Sequence, residues 1–243
     1  MIRGSSGGAM PLLGWVVDVQ HDFMDPDGRL YVHDLFNAKD PGAQMARSAI
    51  VRTATWMRQH CRTVIYTGDW HAYGDREIDT EHPDAAKGTY PPHCMGMSGN
   101  EGERSGAALI PEVDPGEDAL VLSRDASAVT ALEIARTAAQ SGRPILIQKK
   151  EFSCFEGNPA TDSLLTALGA ELKARPRVIV CGVATDVCVR YAVDGLLDRG
   201  HAVSVVRDAT WGLGLLPASE TWERWASRGA QIVTTAALTP ADA

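Results

Sequence analysis

The chain has 243 residues, 44% of them hydrophobic and 22% charged, with a net charge of −8 at pH 7. These are globular proportions, which exclude a disordered, collagenous or coiled-coil chain, and the acidic balance speaks against a nucleic-acid partner, which would need a basic footprint. No run of about 18 residues is free of charge, so no membrane-spanning helix is expected.

In chain order, residues 1–10 are rich in Gly and Ser and read as a flexible leader. The apolar run after them is broken by Asp18 and has no cleavage-site pattern, so no signal peptide is expected. Leu13 to Val19 has the pattern of a buried strand, and Pro41 to Cys61 repeats its apolar residues at helical spacing. Thr63 to Thr67 is the next strand, ending at Gly68-Asp69. Residues 68–118 form a long connection rich in Gly, Pro and acids, and loops of this length are usually functional. Between Asp75 and Asp118 eleven acids face only Arg76, Lys87 and Arg104, so this stretch carries as much net charge as the whole chain. Ala119 to Leu122 reads as a strand, Ala126 to Ser141 as a helix and Pro144 to Gln148 as a strand running into Lys149. Then come a helix over Ala160 to Arg175, a strand over Arg177 to Cys181 and a helix over Thr185 to Arg199 with Gly200 as its cap. A strand over Ala202 to Val206, a helix over Pro217 to Arg228 and a strand over Gln231 to Thr234 complete the series. Alternating strands and helices predict an α/β fold with a parallel sheet, in one domain spanning 1–243.

In such sheets ligands bind at the carboxyl ends of the strands. The reactive residues at those ends are Asp18, Asp69 with His71, Lys149, and the segment from Gly182 to Cys188. Cys188 follows a strand and a tight turn at a helix start, where free backbone N–H groups lower a thiol's pKa and can hold an oxyanion. A free Cys is otherwise a small buried hydrophobe, the better reading for Cys181. A thiol nucleophile needs a proton acceptor, and Asp18 at the first strand's end can serve, with Lys149 stabilising the charges. Asp69-Trp70-His71, with His93 after Pro91-Pro92, forms a carboxylate–imidazole set suited to Zn²⁺, Mn²⁺ or Fe²⁺. Asp75, Glu77 and His82 could add a ligand, although polar residues in an acidic loop need bind nothing. The five cysteines (Cys61, Cys94, Cys154, Cys181, Cys188) contain no C-x-x-C spacing and read as reduced cytosolic thiols. Gly4-Ser5-Ser6-Gly7-Gly8 matches a nucleophile elbow in letters alone, because it precedes every strand. Trp211, Trp222 and Trp225 read as helix packing or a subunit contact.

Three segments, Val16-Val17-Asp18-Val19-Gln20-His21-Asp22-Phe23, Lys149-Lys150-Glu151-Phe152-Ser153-Cys154-Phe155 and Gly182-Val183-Ala184-Thr185-Asp186-Val187-Cys188-Val189, resemble the isochorismatase-like cysteine hydrolases in sequence and order. The resemblance runs from about residue 13 to 235. It implies a three-layer α/β/α sandwich with a six-stranded parallel sheet and a catalytic triad of Asp18, Lys149 and Cys188. It also implies a cis peptide between Val183 and Ala184 and an oxyanion hole from the N–H groups of Ala184 and Cys188. Asp69-Trp70-His71 and Tyr90-Pro91-Pro92-His93-Cys94 resemble the nicotinamidase-like branch, which implies metal ligation by Asp69, His71 and His93, with zinc the leading ion. The fourth ligand of that branch is a His; here Glu77 stands in its place. Phe23 and Tyr90 match residues that line the substrate pocket. The segment between Lys149 and Phe152-Ser153 is shorter than usual in that branch, and residues 126–141 look like an extra helix.

The activity implied is an amidase cleaving a non-peptide C–N bond of a small primary amide through a thioester, with nicotinamide first. Another small amide, ureido or carbamoyl compound is the alternative. A non-catalytic or redox-sensing protein on the same fold is the alternative of another class. A cytoplasmic homo-oligomer is the implied setting.

Overall fold

A computed structural model describes residues 10–238. The expected leader, Met10 apart, and the Gly4–Gly8 run lie outside the described residues. Seven strands form one parallel sheet: β1 (Leu12–Val17), β2 (Thr63–Asp69), β3 (Leu120–Leu122), β4 (Ile145–Lys149), β5 (Arg177–Val183), β6 (Ala202–Trp211) and β7 (Gln231–Val233). Their order is β3-β4-β2-β1-β5-β6-β7. The six strands implied by the resemblance are therefore seven. The three-residue β3 and β7 add only a short ladder to each edge, β3 on Ile145–Ile147 and β7 on Ser204–Val206.

Eight α-helices surround the sheet: α1 (His21–Met24), α2 (Gln44–His60), α3 (Glu101–Arg104), α4 (Ala128–Ser141), α5 (Cys154–Gly157), α6 (Thr161–Glu171), α7 (Cys188–Asp198) and α8 (Ala218–Ser227). The alternation of side chains along β1 shows how two layers close on it. Gly14 leaves room for Met57 of α2, whose side chain stands about where a Cβ would fall, at 2.9 Å. Trp15, next in sequence and pointing the other way, stacks on Phe155 of α5 with ring centres 6.3 Å apart. Both faces of β1 are thus covered, and all six of its residues are buried. The result is the expected three-layer sandwich.

The helix expected over 126–141 is present. It is α4, the crossover that makes β3 and β4 parallel neighbours, and it packs on α6. Its start is fixed by Ser127, whose Oγ accepts from Thr130 N, and its end by Gly142 at φ 76°, a left-handed cap that lacks a Cβ to clash. β6 runs five residues beyond its expected end and carries Trp211, whose Nε1 donates to Asp40 at 2.9 Å. Trp222 and Trp225 do pack helix α8, ring against ring at 5.4 Å. No helix among the described residues is long and apolar enough to cross a membrane.

The chain turns from one side of β1 to the other between β4 and β5. Adjacent strands β4, β2, β1 and β5 therefore bring their carboxyl ends to one edge, and the site lies there.

Candidate active site

Lys149, the last residue of β4, is the hub. Its Nζ lies 3.0 Å from Asp18 Oδ2, 3.7 Å from Cys188 Sγ, and in direct contact with Asp69 Oδ1. All four residues are buried. Asp18 leaves β1 at φ 50°, a left-handed turn that is rare outside glycine and marks a position held by its surroundings. Its Oδ1 accepts from Thr67 Oγ1 at 2.6 Å and its backbone N–H donates to Thr67 O. Cys188 opens α7, and the Val183–Ala184 peptide before it is cis, as expected. Among the described residues, neither the N–H of Ala184 nor that of Cys188 has an acceptor.

The charges order themselves around Lys149. Burial pushes Asp69 up, but Lys149 and His71 overcome it and hold the carboxyl well below the usual range. Burial would lower Lys149, yet Asp18 and Asp69 raise it, so the ammonium stays charged. Burial raises Asp18, only partly offset by Lys149. Burial likewise pushes the Cys188 thiol well up, with Lys149 opposing. This departs from the sequence expectation of a thiol lowered by its helix terminus: in this dry site desolvation of the thiolate outweighs the neighbouring cation. The thiol holds its proton at rest, and a base must take it.

The second cluster adjoins the first through the other oxygen of Asp69. Asp69 Oδ2 lies 3.7 Å from His71 Nε2 and 3.9 Å from His93 Nε2, and His71 Nε2 lies 3.9 Å from Glu77 Oε2. Ligand atoms about 2.0–2.2 Å from a tetrahedral zinc stand about 3.4 Å apart, and the ligand atoms of Asp69, His71 and His93 lie within 4.8 Å of one another, so a modest contraction closes these three on an ion, with Glu77 approaching from the His71 side. His71 Nε2 and Glu77 Oε2 are buried and have no hydrogen-bond partner among the described residues. Two such orphaned groups facing each other fit a cation between them. The supporting contacts agree: His93 Nδ1 bonds Pro91 O at 2.7 Å, and Phe152 N donates to Glu77 Oε1 at 2.5 Å. His71 Nδ1 sits 3.4 Å from Asp75 Oδ2, and Arg124 grips both oxygens of that carboxylate. Asp75 therefore backs His71 rather than joining the set, and His82 is exposed and apart from it. Burial and then His71 lower His93 to about 4; burial opposes but Asp69 and Asp75 raise His71 to about 9; burial and Asp69 raise Glu77 to about 8.

Phe23, Tyr90, His93, Phe152, Ala184 and Cys188 are among the residues lining a narrow cleft of about 20 Å³ beside the thiol and Asp69. Phe23 and Tyr90 both stand against His93, with ring centres 5.4 and 6.1 Å away. Asp18, Lys149 and Cys188 thus stand together with Asp69, His71, His93 and Glu77 beside them, whereas Asp75 lies behind His71 and His82 lies apart.

Several residues that hold the site were not singled out. Gln20 spans the ends of β1 and β2: its Oε1 accepts from Asp69 N, and its Nε2 donates to Asp69 O and Ala107 O, each at 2.8 Å. Asp22 accepts from Cys94 N at 2.7 Å, pinning the Pro91–Cys94 turn that carries His93. Asp186 accepts from Leu213 N and Leu215 N at 2.9 and 2.7 Å. Asn158 donates to Leu122 O, Ser123 O and Gln148 O, tying β3 to β4 next to Lys149. Their only signal in the sequence is polarity within otherwise apolar segments beside the reactive residues. The cysteines are all unpaired; Cys94 Sγ reaches Gly106 O at 3.7 Å, and no disulfide joins it or Cys154 to Cys188.

The isochorismatase domain family model matches residues 130–237, which include Lys149 and Cys188. The fold is that of the isochorismatase-like hydrolases. The pyrazinamidase/nicotinamidase of Streptococcus mutans UA159 has a TM-score of 0.61 at 21% identity, over 91% of this chain and 99% of its own. The pyrazinamidase of Pyrococcus horikoshii, solved in complex with zinc, has 0.60 at 23%, over 92% and 98%. The N-carbamoylsarcosine amidase of Thermoplasma acidophilum has 0.59 at 22%, over 93% and 97%. No curated protein matches the chain. The isochorismatase-like resemblance seen in the sequence thus agrees with the family model and with the fold of the solved structures.

Proposed function

We propose that this protein is a cysteine amidohydrolase that converts a small primary amide to its carboxylic acid and ammonia, with nicotinamide the leading substrate. The observation that carries the reading is the meeting of Asp18, Lys149 and Cys188 at three strand ends, with Lys149 Nζ 3.0 Å from the acid and 3.7 Å from the thiol. Asp18 takes the Cys188 proton as sulfur bonds to the amide carbon. The carbonyl electron pair moves onto oxygen, which the N–H groups of Ala184 and Cys188 hold. When the C–N bond breaks, Asp18 returns the proton to nitrogen, which leaves as ammonia. Water then adds to the thioester carbon and gives a proton to Asp18. The C–S bond breaks, and that proton restores the thiol as the acid departs. Lys149 keeps the buried site near neutrality in each state.

Asp69, His71, His93 and Glu77 would hold a divalent cation, zinc before manganese or iron, and Glu77 departs from the His usual at its place. Such an ion supplies a Lewis-acid contact that orients a substrate nitrogen. The zinc complex of the Pyrococcus horikoshii pyrazinamidase supports the ion, and the N-carbamoylsarcosine amidase keeps a carbamoyl substrate as the second reading. The unpaired thiols suit a cytoplasmic setting, and a homo-oligomer completes the proposal.

The test is ammonia release from nicotinamide and a panel of small amides by zinc-loaded protein, with Cys188→Ala alongside. Release from nicotinamide that the variant abolishes is the expected result. Release only from another amide removes the nicotinamidase reading and keeps the mechanism. Release unchanged in the variant would show that Cys188 is not the nucleophile.

A further inference from the structure

The cleft is flanked by a larger outer chamber, open to solvent, of about 690 Å³. Tyr90, Phe152 and Val187 line both spaces, so the cleft and the chamber meet along these three side chains. The shared wall is aromatic and continuous. His93, Tyr90, Phe152 and Tyr191 follow ring against ring, with centres 6.1, 5.9 and 5.8 Å apart. At its outer end the guanidinium carbon of Arg190 lies 4.9 Å from the Tyr191 ring centre.

Arg190 differs from the other cations of the chamber. Lys87 is engaged by Asp84 at 3.0 Å and Arg76 by Glu151 at 3.7 Å. Arg190 is partly buried and spends only Nε, which donates to Asp186 O at 2.9 Å. Among the described residues neither terminal nitrogen of its fork has a hydrogen-bond or carboxylate partner. Of the chamber's acids, Asp186 binds the Leu213 and Leu215 N–H groups, Glu77 Oε1 accepts from Phe152 N, Glu151 faces Arg76, and Glu156 is exposed and makes no ion pair with Arg190 among the described residues. A guanidinium fixed at one nitrogen and against one ring loses little freedom when its two free ends meet a carboxylate.

We propose that Arg190 determines specificity by binding the carboxylate of an elongated substrate, a primary amide whose far end carries an anionic group. This rests on the amidase reading and names its substrate class. The amide sits at Cys188, the middle of the molecule runs along Tyr90, Phe152 and Tyr191, and the carboxylate takes the two free arms of Arg190. A small neutral amide at Cys188 would leave Arg190 unengaged. Hydrogen bonds to a charged group are among the stronger ones, and a paired carboxylate here corresponds to about tenfold to hundredfold in affinity.

The experiment measures kcat/KM for ammonia release from succinamate, glutaramate and longer monoamides of dicarboxylic acids, each beside its neutral methyl ester. Wild type, Arg190→Gln and Arg190→Lys are compared. At one chain length the acid should exceed its ester by tenfold or more. Arg190→Gln should bring that ratio near one, mainly through KM, and Arg190→Lys should restore part of it. Calorimetry with the same monoamide on Cys188→Ala, with and without Arg190→Gln, should show at least tenfold weaker binding in the double variant. Equal turnover of acids and esters by wild type, or an equal loss of both in Arg190→Gln, would overturn the proposal. If nothing in the series and no nicotinamide is cleaved, the amidase reading fails, and the calorimetry alone then decides Arg190: unchanged affinity in the double variant would refute it.

Discussion

Asp69 serves two clusters with one carboxylate. Oδ1 contacts Lys149, and Oδ2 faces the two imidazoles. Charge in the reacting group is thereby tied to charge in the metal-type set, and Lys149 is left to balance Asp18 as well. Asp18 is the residue whose titration should be visible in kinetics. Burial raises it above the ordinary aspartate value of about 3.9, and only the deprotonated form can take the Cys188 proton. Activity should therefore fall as pH drops through the raised value, so the acid limb of kcat/KM should lie above about 4. A profile flat down to an ordinary aspartate pKa would show that another group is the base.

At the scale of elements, the proposed nucleophile Cys188 is placed by β5, a turn and α7 acting together. Gly182 passes so close to β1 that a Cβ would fall 2.1 Å from Val17 O, and it does so at φ 124°. This is a position for glycine on both counts. Two residues before Cys188, Asp186 holds the backbone of Leu213 and Leu215, and Leu213 lines the cleft. Removing that acceptor leaves buried N–H groups unpaired. Asp186→Ala should cost about 1–3 kcal/mol in urea unfolding and lower kcat/KM as the Leu213 wall loosens, with Asp186→Asn recovering part of both. Unchanged stability and kinetics in Asp186→Ala would assign the loop to other contacts. The helix-period and strand-period stretches of this unit were readable in sequence, as was its turn. The clamp across 27 residues was not, because a hydrogen bond between distant segments leaves no periodicity.

At the scale of the whole molecule, the long acidic connection is fastened rather than loose. Arg124, just after β3, grips both oxygens of Asp75 and also donates to Trp70 O, so the edge of the sheet braces the loop behind His71. Burial would raise Asp75, but hydrogen bonds from His71 and Arg124 hold its carboxyl well below the usual range. A carboxyl lowered in the folded state stabilises the fold above its unfolded pKa of about 3.9 and loses that contribution as pH falls toward the folded value. The pair is mostly but not wholly buried, so Asp75→Asn should cost about 1–3 kcal/mol at pH 7. The difference from wild type should shrink below pH of about 4. Thermal unfolding across pH measures it, and a pH-independent difference would mean that packing rather than charge is lost.

The sequence by itself determined the layer type, the chain order of strands and helices, and the reactive residues at strand ends. Each of these is written in local signals: hydrophobic period, caps such as Gly142 and Gly200, and motif spacing around Asp18, Lys149 and Cys188. What depends on distant neighbours leaves no such signal: that the helix Ala128–Ser141 is the crossover setting β3 beside β4, and that β6 runs on as far as Trp211. Only the tertiary structure decided that burial raises the Cys188 thiol, that Asp75 backs His71 while Glu77 Oε2 faces it, and that Arg190 ends an aromatic wall. The physical reason is common to all three. Desolvation, ligation and pairing depend on what a side chain meets in space, and residues tens of positions apart meet only after the sheet has ordered its strands.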